Sequence, residues 1–539
     1  MRFLVLALAP VSVIGQTLAV ATYHNDNARS GWYSQEPILT PANVNFQSFG
    51  KLGAFPVDGE VYAQPLYVPG VEIPRKGRRN VVYVATEHDS LYAFDADLKL
   101  GGQAEVLWRV SLTSKTDETT PVPYADVGAD NIYPEVGITG TPAIDVSTNT
   151  IYVVGKLKAT AADGTPSYEH VLAAYDTRTG RSKFGWSVRI QAQTDGTCEP
   201  NDGQGHVLFS DKTELQRSGL LLANGNVYVA FASHGDIDPF SGWILAYDAK
   251  NVQHQVAAFN AVPNNLGGQH PCRGGIWQGG AGLSTDADGN LFVATGNGEF
   301  NANQMGNDYG DSLLKMDPQL NVLDWFAPYD QGILQQGDID LGAGGALVLP
   351  DGPPPYAHLT VIGGKEGTIY LVNRDLLGGF NESAQNSNVI QTIPGGSGGQ
   401  RGVFGMPAYF NGLLYFGGLG DPIKAYSLSS GALTSSPVQT TATTFGFLGT
   451  DPVVSSSGSV NGIVWAVEID AATYSSTVSS PAILHAYDAG NLLIELYNSS
   501  QAGARDSAGP ALQFAVPTVA NGRVYVGTRS EVSVYGLFN

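Results

Sequence analysis

Residues 81–96 read VVYVATEHDSLYAFDA: an apolar run, a short polar turn, and a second apolar run closing on an aromatic–acid pair. Two such runs joined by a tight turn are the mark of neighbouring antiparallel strands. The closing phrase recurs along the chain. It returns as LAAYDT at 172–177, ILAYDA at 244–249, LLKMDP at 313–318 and IYLVNR at 369–374. Three more copies follow, IKAYSL at 423–428, LHAYDA at 484–489 and VSVYGL at 532–537. The distance from Phe94 to Tyr535 is 441 residues over seven intervals, a mean repeat of 63. Four strands of ordinary length need only roughly 25 residues. Every repeat therefore carries long loops.

Each second strand has a partner before it, such as AQPLYV at 63–68, TGTPAI at 139–144 and AVPTVA at 515–520. Outer strands such as VLWRV at 106–110 and FGWSV at 184–188 follow several of the closing phrases. Four antiparallel strands per unit, repeated eight times, predict an all-β fold, an eight-bladed β-propeller. The chain ends on the third strand of the eighth repeat. The missing outer strand is expected from FGKLGAFPV at 49–57, which closes the ring and removes the free edges.

Composition agrees with this architecture. Only 14% of residues are charged, against 67 Gly and 30 Pro, which suits a turn-rich β protein. Residues 1–21, MRFLVLALAPVSVIGQTLAVA, carry one Arg, an apolar run and then small residues. This pattern predicts a secretory signal peptide and a secreted protein. Residues 22–539 then form one propeller domain, with 22–48 as an N-terminal cap lying across a blade. No later segment has 18 uninterrupted apolar residues, so no membrane span is expected. A net charge of −21 argues against nucleic acid or an anionic membrane as partner. Cys198 and Cys272 are free to pair in an oxidising compartment and are too few for a four-thiolate zinc site. The sequons at Asn381 and Asn498 predict a glycoprotein if the host is eukaryotic.

In a four-stranded propeller, the loops entering the inner strands and those joining second to third strands share one face. Here they hold Glu60, Trp277, Asp338, Asp340, Phe404 and Phe447, together with Glu87, Asp236, Asp238, Asn297 and Lys365. Loops are polar in most proteins. In a chain this poor in charge, the gathering of acids, cations and aromatics on one face indicates a functional funnel. Converging Asp, Asn and Glu oxygens suit a hard cation such as Ca2+, and a neighbouring carboxylate suits a general base. No GxSxG, HExxH, phosphate-binding loop or EF-hand loop is present.

The stretch 274–300, GGIWQGGAGLSTDADGNLFVATGNGEF, resembles the quinoprotein alcohol dehydrogenases, eight-bladed propellers that bind pyrroloquinoline quinone (PQQ) and Ca2+. The resemblance implies that Trp277 floors the flat cofactor and that Asn297 is a Ca2+ ligand. GGKEGTIYLVNRD at 363–375 is similar to the family phrase whose lysine contacts the quinone oxygens, here Lys365. ASHGDIDPFSGWILAYDA at 232–249 resembles the loop whose glutamate binds Ca2+. Asp236 is the nearest acid there, and Ser241 stands where the family has an arginine. Asp338 and Asp340 fall where the catalytic aspartate belongs.

The resemblance thus implies catalytic roles for Asp338, Asp340 and Lys365, cofactor contacts from Trp277 and Lys365, and metal ligation by Asp236, Asn297 and Asp340. The family's adjacent cysteine pair is missing. So is a C-x-x-C-H haem motif, which makes any electron acceptor external. The segment YHNDNARSGW at 23–32 has no counterpart in the dehydrogenases.

The expected function is a secreted oxidoreductase acting on an alcohol or sugar with PQQ and Ca2+. Two alternatives stand beside it. One is a quinone-free propeller of the same ancestry that binds or transforms a small molecule or glycan by lyase- or cyclase-type chemistry. The other is an interaction scaffold, since fold alone does not choose among these.

Overall fold

The computed structural model describes residues 18–538, apart from 115, 117, 186, 269, 270, 397–401, 471 and 476. Most of the expected leader, 1–17, lies outside the described residues. The chain folds into eight antiparallel four-stranded meanders. Blade one contains Leu66–Ile73, Gly77–Ala85, Ser90–Asp95 and Val106–Ser111. Blade four contains Ser284–Thr285, Leu291–Ala294, Leu313–Met316 and Val322–Phe326. All eight closing phrases lie on third strands. Blade eight is completed by Phe49–Pro56, which pairs antiparallel with the last strand, Glu531–Leu537. The ring closes as the repeats require.

The burial pattern explains why these phrases are legible. Second and third strands are covered on both faces by adjacent blades. Leu91 to Phe94 and Ile244 to Tyr247 are accordingly all buried. Such strands need continuous apolar runs rather than alternation. Outer strands face solvent, and Val106–Ser111 is half-exposed along its length. Blade two departs from the expectation, since its outer strand is only Val188–Arg189 and not the full FGWSV phrase.

The N-terminal segment does more than cap one blade. Val20 exchanges hydrogen bonds with Tyr67 of blade one, and Ala21 O accepts from Ile144 N of blade two. Thr22 and Asn27 donate to Leu220 O and Leu222 O of blade three. Asn27 O, Ala28 O, Ser30 O and Gly31 O then accept from Thr285, Val348, Tyr409 and Val454, one in each of blades four to seven. Trp32–Tyr33 runs parallel to Val454 and Ser455. Glu36 takes Gly522 N of blade eight on both carboxylate oxygens.

Residues 20–36 are thus a strap that visits the blades in chain order and occupies inner-strand groups that would otherwise face the channel unpaired. The strap's centre is Arg29, fully buried. Its guanidinium donates to Leu283 O at 2.7 Å, Thr22 Oγ1 at 2.7 Å, Tyr23 O at 2.8 Å and Leu220 O at 3.2 Å. Cys198 and Cys272 form a disulfide across 74 residues, tying the loop after blade two to the approach into blade four.

Candidate functional site

A cavity of about 210 Å³ opens on the ring axis, with residues from loops of seven blades on its wall. Asp236, Trp277, Asp340, Lys365, Phe404 and Phe447 all line it. The glycine-rich approach to blade four crosses the axis as its floor. There Gln278 N and Gly279 N donate to Gly342 O and Ala343 O at 3.1 and 3.2 Å. A smaller cavity lies against the same floor and shares Arg217, Gly279 and Phe514 with the larger one. The strap's Tyr23 also lines this smaller space.

The structure brings together most of the expected site residues. Asp340 Oδ1 accepts from Asn297 N at 2.7 Å, and its Oδ2 lies 2.5 Å from Lys365 Nζ. Lys365 also reaches Asp338 Oδ1 at 3.0 Å, and Asn297 Nδ2 donates to that same oxygen at 2.8 Å. Burial acts to lower the Lys365 pKa. The charges and hydrogen bonds of Asp340 and Asp338 outweigh it and hold the ammonium above its ordinary range. Trp277 packs edge-on against Phe240, with centroids 6.2 Å apart.

The TGNG turn has a steric reason. A Cβ on Gly296 would sit 2.3 Å from Asp340 Oδ1 and 2.8 Å from Trp277 Cδ1. Only glycine lets the backbone pass between these two side chains and present the Asn297 N–H to the carboxylate.

The expected metal ligands meet only in part. Asn297 and Asp340 touch, whereas Asp236 faces the same cavity from blade three. Burial, then the Asp340 and Asp338 charges, push the Asp236 carboxyl up to about 6. Asn297 Oδ1 is buried and has no hydrogen-bond partner. No three His, Cys, Asp or Glu side chains among the described residues come close enough to share a metal ion. Asp238 turns away and pairs with Arg273 at 2.7 Å. The Arg273 backbone bridges Ser241, and its guanidinium reaches Asp238 and Asp236 O in the same loop.

Arg217 and Phe514 are lining residues that the sequence candidates did not include. Arg217 lies on the approach to blade three. Phe514, before blade eight, stacks under its guanidinium at 4.2 Å. Asp311 is a third addition. It is fully buried, receives Leu341 N at 3.1 Å, and is held well above the carboxylate range by burial and by the Asp340 charge.

Buried acids extend around the ring. Burial pushes Glu60 and Asp451 up to about 7 and Glu87 to about 8, and raises Asp89, Glu214 and Asp311 well above their ordinary range. A carboxyl raised on folding contributes stability that is complete below its unfolded pKa and is lost as pH rises through the folded value. Below about 6.5 the buried neutral His24, His170 and His234 act in the opposite sense. Between about pH 7 and pH 8, Lys156, lowered to about 7 by burial, opposes the acids. The thermal midpoint is therefore expected to fall between pH 6.5 and pH 8, measured by scanning calorimetry in matched ionic strength. A rise across that interval would contradict the burial of these acids.

No family model matches the chain, and no curated protein matches it. Solved structures do. Quinohemoprotein alcohol dehydrogenase from Comamonas testosteroni is 14% identical with a TM-score of 0.59, over 98% of this chain and 82% of that one. Quinohemoprotein alcohol dehydrogenase ADHIIG from Pseudomonas putida HK5 is 13% identical with a TM-score of 0.54, over 96% and 80%. The chain has the propeller fold of these quinoprotein dehydrogenases.

Proposed function

We propose that the protein is an oxidoreductase that oxidises the hydroxyl of an alcohol or sugar, with PQQ and Ca2+ held in the axial cavity. The observation that carries this reading is Asn297 Oδ1, buried and unpartnered beside the Asp338–Asp340–Lys365 cluster. An orphaned amide oxygen next to carboxylates fits an oxygen-seeking cation. Trp277 offers the flat apolar plate that an aromatic cofactor requires, and Lys365 the positive charge for its oxygens. Bound there, the quinone would supply a two-electron acceptor and the cation a Lewis acid.

The chain's own residues do the rest. Asp340 is placed to take the proton of the substrate hydroxyl. Asn297 N on one oxygen and Lys365 on the other fix its orientation. Phe404, Phe447 and Phe514 keep the cavity wall apolar and limit water. The leader-like residues 1–21 and the Cys198–Cys272 disulfide support action outside the cell.

The Lys365–Asp340 ion pair favours a second reading, quinone-free acid–base chemistry, because Lys365 already balances the carboxylate charge. Reconstitution separates the two. Purified protein with PQQ and Ca2+ is expected to show a shifted quinone absorbance and to reduce a dye with a panel of alcohols and sugars. Unchanged absorbance and no dye reduction would leave the second reading.

A further inference from the structure

Arg217 is a cationic lining residue of the axial cavity that the dehydrogenase reading leaves unused. Its side chain lines both the main cavity and the smaller one against the same floor. The residue is only 7% exposed. Nη2 is buried with no hydrogen-bond partner, and Nε makes a single long contact, 3.5 Å, to Gly279 O. Phe514 covers one face of the guanidinium. Among the described residues it makes no ion pair. Glu87 bears on it only through space and spends a carboxylate oxygen on Gly137 N and Thr139 Oγ1, at 2.7 and 3.1 Å.

A buried guanidinium cannot shed its proton at neutral pH, and leaving it unpaired is costly. Arg29 shows how this chain satisfies a buried arginine when the role is structural, with carbonyls on every side. Arg217 has no such shell, and its side chain lines a cavity walled by aromatic rings. A planar carboxylate matches that donor set in charge and shape.

We propose that Arg217 is the anion subsite of this cavity and that the molecule bound there is an aromatic or otherwise apolar organic acid, its carboxylate on Nη2. The inference deepens the dehydrogenase reading and rests on the same cavity. The carboxylate is the substrate's.

The test uses the full chain, with benzoate and its neutral isostere benzamide as probes in calorimetric titrations. Wild type is expected to bind benzoate at least about tenfold more tightly than benzamide, and Arg217→Met to abolish the difference. Arg217→Met is expected to melt at or above the wild-type temperature without ligand, since an uncompensated charge is removed. Where that variant does not fold, the wild-type thermal shift decides: benzoate raises the midpoint and benzamide does not. A separate PQQ titration finds the source. Unchanged quinone affinity in Arg217→Met is expected, and a tenfold loss would give the arginine to the cofactor and overturn the substrate subsite. Equal binding of benzoate and benzamide by wild type, or an unchanged preference in Arg217→Met, would overturn the proposal. The benzoate arm needs neither quinone nor dye, so its failure is distinct from failure of the dehydrogenase reading.

Discussion

Arg29→Met is expected to destabilise the protein by about 3–5 kcal/mol, read from the urea unfolding midpoint. The guanidinium is the knot of the strap. It joins Thr22 and Tyr23 of the strap to the carbonyls of Leu220 and Leu283, which belong to the approaches of blades three and four. Hydrogen bonds from a charged donor contribute about 1.5–3 kcal/mol each in mutational series. Burial lowers the Arg29 pKa to about 10, so it stays cationic and its desolvation offsets part of that gain. Methionine fills a similar volume but leaves the buried carbonyl oxygens without their donor. Arg29→Lys reaches fewer of the acceptors and is expected to fall between the two. A loss under about 1 kcal/mol for Arg29→Met would mean that water replaces the guanidinium and that the strap is held mainly by its backbone.

The strap was not legible in the sequence, and the reason is physical. YHNDNARSGW has no period, because its partners are successive blades and not one sheet. Its backbone turns through left-handed conformations at His24, Asn25 and Arg29, which no local pattern announces. A Cβ at Gly31 would strike the His24 ring at 2.5 Å, a contact visible only after folding. The blades were legible for the opposite reason. Phrases such as ILAYDA are sandwiched between neighbouring sheets and carry that burial in their composition. Inner strands as short as Leu347–Val348 carry almost none.

The site divides in the same way. Trp277, Asn297 and Lys365 were marked by resemblance, and they share one cavity or contact network. In RSGLLLA nothing local distinguishes Arg217 from any charged residue before an apolar strand. Its lack of a partner exists only in three dimensions. Arg273, distant in sequence, brings its guanidinium to Asp236 O and Asp238 in the loop that holds Ser241.

Within the proposed dehydrogenase reading, Asp338 and Asp340 are alternatives in the sequence, and their geometry favours Asp340 as the base. Asp340 is almost fully buried, its side chain 3% exposed, with Asn297 N and Lys365 fixing its two oxygens. Asp338 is 66% exposed; Lys365 and Asn297 share one of its carboxylate oxygens, and Lys365 also reaches its backbone O. A general base must hold one geometry against the substrate proton, and such groups contribute about 10²–10⁴ in rate.

Asp340→Asn is therefore expected to lower dye reduction by the reconstituted protein about a thousandfold, whereas Asp338→Asn lowers it about tenfold or less. Ca2+ titration gives a readout that does not depend on turnover. Asp340→Asn removes an anionic oxygen beside Asn297 Oδ1 and is expected to weaken Ca2+ at least tenfold, while Asp338→Asn has the smaller effect. Lys365 makes the contrast sharper. With Asp340 neutralised it keeps only the exposed Asp338, so its charge loses the buried partner that holds it in the cavity. Equal losses in the two variants would instead show that both acids act through Lys365 as a unit, and would remove Asp340 from the role of base.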